Sequence, residues 1–401
     1  MRNLLLLLLL STPAFAAEPA LALRNATVET MGPSGRIEKA TVVIRNGKIE
    51  AIGKDAAIPD DAKVIDAAGG TIMPGIIDPH FEVSVASATA DAGPRTVVIG
   101  GRTITLPGGA GGRAAPFTRI ADNFYPYDSG FKSLPRVGLT RLNLVAAGTG
   151  QSAIVRVTPG QPEHMMDRAD GIAFVSVTNQ TDSLDQIRTK LESAKRAAAS
   201  ATMARMMTSQ AGGQLWLDVH EGKTPLIVNA ANAATIVHLV KAVEPFKNVK
   251  LAILASGVAF AEALDSLKGK NVTCVVHPNL EMLPNTRDRF APARMLHEAG
   301  IAFAFSLSAR PQATADIDTS LLHQDFPLFP VAVLVKSGLP RQVALAALTK
   351  QPATITGMNA AHGSIEPGKT ADLLLFTGDP LDPASRLRLA IVDGRTTHAN
   401  D

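Results

Sequence analysis

Hydrophobic and polar positions change rhythm twice along this chain. Near the start, residues 40–44 and 48–52 form two short apolar-rich, strand-type runs around Asn46-Gly47. Asn-Gly between two such runs is the strongest short-range hairpin signal, because a type I′ turn needs two residues that tolerate positive φ. Val64-Ile65 follows as another short strand, and the far end has the same texture. There, residues 372–376 read as a strand, and 390–392 lead into a second hairpin-type turn at Asp393-Gly394. Both chain ends, 17–70 and 365–401, are therefore expected to be β-rich and to pack together beside the centre.

The centre, 71–364, runs differently. Short apolar runs at 226–228, 251–254, 272–276 and 301–305 alternate with helical patterns at 184–207, 233–243 and 292–299. Apolar strands separated by helices read as repeated βα units and a parallel sheet. Roughly eight such units fit between Thr71 and Gly363, the count a closed (β/α)8 TIM-type barrel needs. In such a barrel, residues just past the C-terminal end of each strand face the active site.

Two segments stand outside the alternation. At the N-terminus, Arg2 precedes an unbroken apolar run at 4–10, and Ala14-Phe15-Ala16 offers small residues where a signal peptidase reads. This predicts a secretory signal over 1–16, cleaved before Ala17, and a periplasmic protein. The run is too short to span a bilayer, and the cleavage site lacks a lipoprotein cysteine. Between 91 and 128 lie many Gly and Pro residues, including the run Gly108-Gly109-Ala110-Gly111-Gly112. Without a following Lys-Ser/Thr this is no phosphate cradle; it reads as an insertion over the barrel mouth that ends at Tyr125 and Tyr127.

Charge narrows the partners. The 401 residues carry 39 Lys plus Arg against 36 Asp plus Glu, a net charge of only +3, which leaves no footprint for nucleic acid. Aromatics make up 4%, in keeping with a barrel layered by aliphatic side chains. The single cysteine, Cys274, excludes an intramolecular disulfide.

Thr71-Ile72-Met73-Pro74-Gly75-Ile76-Ile77-Asp78-Pro79-His80 resembles the first barrel strand of amidohydrolases, which usually ends apolar-Asp-x-His-x-His. The tail is similar to that family's closing segment at Gly363-Ser364-Ile365-Glu366-Pro367-Gly368-Lys369-Thr370-Ala371-Asp372-Leu373 and at Gly378-Asp379-Pro380-Leu381. The likeness covers nearly the whole chain after the signal and looks nearest to the secreted, imidazolonepropionase-like branch. It implies a (β/α)8 barrel, a small β-sandwich built from both chain ends, and hydrolysis of carbon–nitrogen bonds. It also implies one or two divalent metals, such as zinc, that lower the pKa of a bound water and polarise the scissile group.

The resemblance further implies where the ligands should stand: two histidines after strand one, a lysine after strand four, histidines after strands five and six, and an aspartate after strand eight. His80 is present, but Glu82 takes the second histidine position. Ala173 aligns with the lysine and Asn229 with the strand-five histidine. Ala255-Ser256 follow strand six, and Leu307-Ser308 follow strand eight with no aspartate. A lone imidazole cannot hold a catalytic divalent ion, since about three protein ligands is the usual minimum.

His277, after the strand at 272–276, could complete a rebuilt His80–Glu82–His277 set; otherwise it is a hydrogen-bonded loop residue before Pro278 and Glu82 a pocket carboxylate. His220, His238 and His297 sit in a polar turn or in helical patterns, and His164, His323, His362 and His398 have no spaced partners. The candidate pocket is therefore His80, Glu82, Asn229, His277 and Ser308, with no catalytic residue and no cofactor assigned. Two readings stay open. One is a non-catalytic barrel that binds a small polar molecule or pairs with an active homologous amidohydrolase subunit. The other is a hydrolase of carbon–nitrogen bonds with a rebuilt site.

Overall fold

A computed structural model of the chain describes residues 19–83, 95–99, 102–106, 117–177, 180–283, 286–308, 326 and 328–400. The expected signal at 1–16 and the glycine run at 108–112 lie outside these residues.

The chain begins with β1 (Leu21–Glu29), β2 (Arg36–Arg45), β3 (Lys48–Gly53), β4 (Lys63–Asp66) and β5 (Thr71–Pro74), then enters the central part through β6 (Ile76–Glu82). Next come a hairpin of β7 (Arg95–Ile99) with β8 (Arg102–Leu106), the short β9 (Thr118–Arg119), and β10 (Leu139–Val145). β11 (Thr149–Gln151), β12 (Ala153–Arg156), β13 (Met166–Arg168) and β14 (Ala173–Ser176) complete this half.

Regular βα alternation follows. α1 (Gln180–Ala198), α2 (Ala201–Thr208) and α3 (Gly213–His220) lead to β15 (Leu226–Asn229), and α4 (Ala233–Val243) leads to β16 (Leu251–Leu254). α5 (Gly257–Glu262) and α6 (Leu264–Leu267) precede β17 (Val272–Val276). A small hairpin of β18 (Glu281–Met282) and β19 (Arg289–Phe290), then α7 (Pro292–Glu298), lead to β20 (Ala302–Phe305). The chain closes with α8 (Phe329–Lys336), α9 (Arg341–Leu348), α10 (Lys350–Ile355), β21 (Leu373–Phe376), β22 (Leu387–Val392) and β23 (Arg395–Ala399). The helical pattern at 184–207 is split in two, because Ser200 caps α2 by accepting from the Met203 amide.

Both chain ends form one eight-stranded sheet, ordered β23-β22-β21-β5-β1-β2-β3 with β4 on β1. Its apolar face has a core of its own, with Leu23, Val42, Ile49 and Ile72 beside Ile365, Leu373 and Ile391. The two hairpin turns read from the sequence have positive φ at both central residues: 51° and 74° at Asn46 and Gly47, 50° and 76° at Asp393 and Gly394. They also touch. A Cβ on Gly394 would lie 2.7 Å from the Gly47 Cα, so glycine is required there for close approach as well as for φ.

The central strands form a four-stranded sheet, β13-β12-β10-β6, and a seven-stranded sheet, β20-β17-β16-β15-β14-β11-β9. β14 to β17 and β20 are parallel, and so are β6 and β10. The expectation of about eight uniform βα units is too regular at one place. β12 runs antiparallel to β10, and β11 antiparallel to β14, so the segment at the third strand position is reversed. Only residues 146–148 separate β10 from the β11–β12 segment, whose β12 part pairs with β10; a turn that short leads to an antiparallel partner, while a parallel crossover needs a dozen or more residues. Ser152, fully buried between β11 and β12, ties the two sheets together, with its hydroxyl accepting from the Ile172 amide at 2.8 Å.

Candidate functional site

β6 and β20 face each other at the seam where the two central sheets meet, and the bonds there come from a side chain. Asp78 is fully buried in β6. Its Oδ1 accepts from the His80 amide at 2.9 Å and from the Ser306 hydroxyl at 2.8 Å. Its Oδ2 accepts from the Leu307 and Ser308 amides, both at 3.0 Å. Four donors saturate this carboxylate, which offsets the large cost of burying its charge. In this stretch the register of β6 against β10 shifts, between Asp78 and Phe81.

From this seam a chain of contacts runs around three adjoining strand ends. Ser308 donates to the His80 carbonyl at 2.7 Å, and its hydroxyl lies 3.2 Å from that of Ser306. The Ser306 carbonyl in turn lies 3.2 Å from His277 Nδ1. A carbonyl only accepts, so Nδ1 carries the hydrogen of this bond. Two residues further, the Asn279 amide donates to the His277 carbonyl at 2.9 Å. His80 is 5% exposed, and burial pushes its ring below the usual histidine pKa despite the pull of Asp78 and Glu82, so it is neutral near pH 7.

His80, His277 and Ser308 are thus linked through Asp78 and Ser306. Glu82, two residues beyond His80 on β6, is exposed and within electrostatic reach of the His80 ring. Asn229 is half-buried at the end of β15, level with Ser176 and Leu254 on the neighbouring strands, and its side chain has no hydrogen bond to the other four among the described residues. Tyr125 and Tyr127, whose rings lie 5.5 Å apart, are exposed.

Three expectations change. Ala173 does not stand at the end of strand four: it pairs with Leu226 at the start of β15, and Ser176 is level with Asn229. His220 ends α3 instead of sitting in a turn before the next strand. His362 is largely buried, with Nδ1 3.0 Å from Asp372. Asp78 and Ser306 were not singled out by sequence, although Asp78 stands inside the quoted Asp-x-His motif.

A catalytic divalent ion does not fit these residues. Among the described residues no three His, Cys, Asp or Glu side chains come together as a ligand group. Strand one keeps His80 and carries Glu82, but the other strand ends where the resemblance places ligands carry Ser176, Asn229, Ala255-Ser256 and, after strand eight, Ser306 to Ser308. Asp78, the carboxylate at the seam, has both oxygens engaged by the chain itself.

The model of the amidohydrolase family matches residues 170–398, more than half of the chain. The imidazolonepropionase of Geobacillus sp. (strain WCH70) is 25% identical over 375 residues, 87% of this chain and 86% of that protein. The imidazolonepropionase of Anaeromyxobacter sp. (strain K) is 26% identical over 415 residues, 94% of this chain and 96% of that protein. Among solved structures, an amidohydrolase from Thermotoga maritima MSB8 superposes with a TM-score of 0.71 at 20% identity, covering 95% of this chain and all of that one. Among the described residues no helix is long and apolar enough to cross a membrane.

Proposed function

The chain belongs to the amidohydrolase family, and we propose that it is a catalytically degenerate member whose barrel mouth holds a small polar ligand, alone or beside an active homologous subunit. One observation carries this reading: beyond His80 and Glu82 on strand one, hydroxyls, amides and apolar groups stand at the described strand ends where metal ligands would be needed, while the buried carboxylate of Asp78 is saturated by backbone and serine donors. A site without a metal-activated water lacks the nucleophile that the family's chemistry uses. The signal-like N-terminus supports export, so the same proposal puts the protein in the periplasm, which fractionation of cells expressing a tagged chain would test.

A second reading has family membership in its favour. The near-full-length likeness to imidazolonepropionases supports a hydrolase of carbon–nitrogen bonds in cyclic amides, working through a rebuilt site. Metal analysis separates the two. On the first reading, protein purified without chelator and dialysed holds far less than one zinc per chain, and it does not hydrolyse imidazolone-type or other cyclic amides. About one tightly bound metal per chain, with turnover that a chelator abolishes, would establish the second instead.

A further inference from the structure

The charge pattern of the mouth narrows the ligand, if the mouth is a binding site as proposed above. Seven strands of the centre run in one direction: β6, β10, β14, β15, β16, β17 and β20. Take the last residue of each and the described residues just beyond it. They are Glu82-Val83, Val145-Ala146, Ser176-Val177, Asn229-Ala230, Leu254-Ala255, Val276-His277 and Phe305-Ser306. Among them Glu82 is the one Asp, Glu, Lys or Arg. It is exposed and makes no ion pair with a described residue.

The donors beside Glu82 are already spent. The Ser306 hydroxyl and the amides of His80, Leu307 and Ser308 all point at Asp78, and the Ser308 hydroxyl points at the His80 carbonyl. Acceptors are left over. The Glu82 carboxylate has no described donor, and the side-chain oxygen of Asn279, two residues past His277, is buried with no hydrogen-bond partner among the described residues. A buried acceptor without a donor is costly, so a ligand that supplies N–H groups is favoured over one that brings more acceptors. Among the described strand-end residues no lysine or arginine balances the Glu82 charge, so an anion there would meet it uncompensated.

We infer that the mouth takes an organic cation that donates several hydrogen bonds, of the amidinium or guanidinium class, with Glu82 as its counter-charge. A planar amidinium presents two parallel N–H donors that match the two oxygens of a carboxylate. Glu82 then determines specificity by charge and fork geometry, while the buried Asp78 seam keeps β6 and β20 in place behind it.

Benzamidine, benzamide and benzoate test this as three probes of nearly one shape and three charges, titrated into the full purified protein by calorimetry. Saturable binding of benzamidine, at least tenfold tighter than benzamide and with no binding of benzoate, is the expected result. Glu82→Gln should weaken benzamidine at least tenfold and leave the thermal midpoint nearly unchanged, and Glu82→Lys should turn the preference towards benzoate. Benzamide or benzoate binding as tightly as benzamidine, or Glu82→Gln binding benzamidine like the wild type, would overturn the cation assignment while leaving a ligand-binding mouth standing. No saturable binding of any probe overturns the assignment too; a stoichiometric metal in the same preparation would then remove the ligand-binding reading as well.

Discussion

Arg141→Met tests how the end sheet is held to the barrel. Arg141, on β10, is 1% exposed and reaches three carboxylates: Asp372 at 2.8 Å, Asp167 at 2.5 Å, and Asp393. Asp372 and Asp393 belong to the end-sheet side, so one guanidinium pins two layers together. Methionine keeps most of the apolar stem and removes the charge. Asp167 and Asp393 would still have Arg156, but Asp372, 7% exposed, would keep only His362 Nδ1 at 3.0 Å and the Asp393 amide at 2.9 Å.

Removing one partner of a buried pair costs about 3–5 kcal/mol, chiefly for the charge left behind, so a loss of about 3 kcal/mol or more is expected at pH 7. The pH dependence gives a second reading. Burial alone would raise the Asp372 carboxyl, but Arg141 and His362 outweigh it and hold it well below the usual carboxylate range. In the wild type this contribution is therefore complete above the unfolded pKa of about 3.9 and is lost as the pH falls through the depressed folded value. In Arg141→Met burial dominates and the folded pKa rises above the unfolded one. The penalty is then full at high pH and fades as the pH falls through that raised value. Denaturant titrations at pH 7 and pH 5 should show the deficit shrink at the lower pH. They can be followed by fluorescence of Trp216, the single tryptophan, 3% exposed, and by circular dichroism. A deficit below about 1 kcal/mol at pH 7, or one equal at both pH values, would refute the view that Arg141 holds the charge on Asp372.

Other outcomes follow from the same geometry. Asp78→Ala strands four donors at the β6–β20 seam and should cost about 3 kcal/mol or more in the same titration; a loss under 1 kcal/mol would mean that the seam is not held by this carboxylate. Gly394→Ala, at φ 76° and with its new Cβ 2.7 Å from the Gly47 Cα, should lower stability by about 1–3 kcal/mol, whereas an unchanged midpoint would show that the two turns move apart freely. Burial pushes the Cys274 thiol pKa up, so the native protein should react negligibly with a thiol reagent at pH 8 and fully after unfolding; rapid native labelling would contradict the burial.

What could be read from the sequence was what local pattern determines. Asn46-Gly47 and Asp393-Gly394 announce hairpins because a type I′ turn is specified by two adjacent residues, and both have the required positive φ. The helix at 233–243 is found at its expected bounds, since its apolar spacing and the Asn232 cap are local features. The reversal at β11 and β12 was legible in principle: between Val145 and Thr149 there is no room for the helix that a parallel crossover requires. Placing Ala173 at the strand-four end failed for a different reason. Residues 172–175 are uniformly apolar, so nothing in the sequence marks where along that run the strand ends, and only pairing with β15 sets the level at Ser176.

Asp78 marks the limit of such reading. Its hydroxyl and amide donors on the far side of the seam are 228 to 230 residues away in sequence, and no spacing rule joins positions so distant. The Asp-x-His pattern around it is the same whether the carboxylate serves a reaction or a strand junction. Its partners decide between these uses. A carboxylate that accepts from two serine-segment amides, a serine hydroxyl and its own strand has little capacity left for a metal or a proton relay. Its neighbour Glu82, four residues along the same strand, is exposed and unpaired among the described residues, so the charge available to a ligand is displaced from the barrel wall to its rim. Identity at a motif position therefore fixes the fold more firmly than it fixes chemistry, because the fold needs the side chain to be present while chemistry needs its lone pairs to be unoccupied.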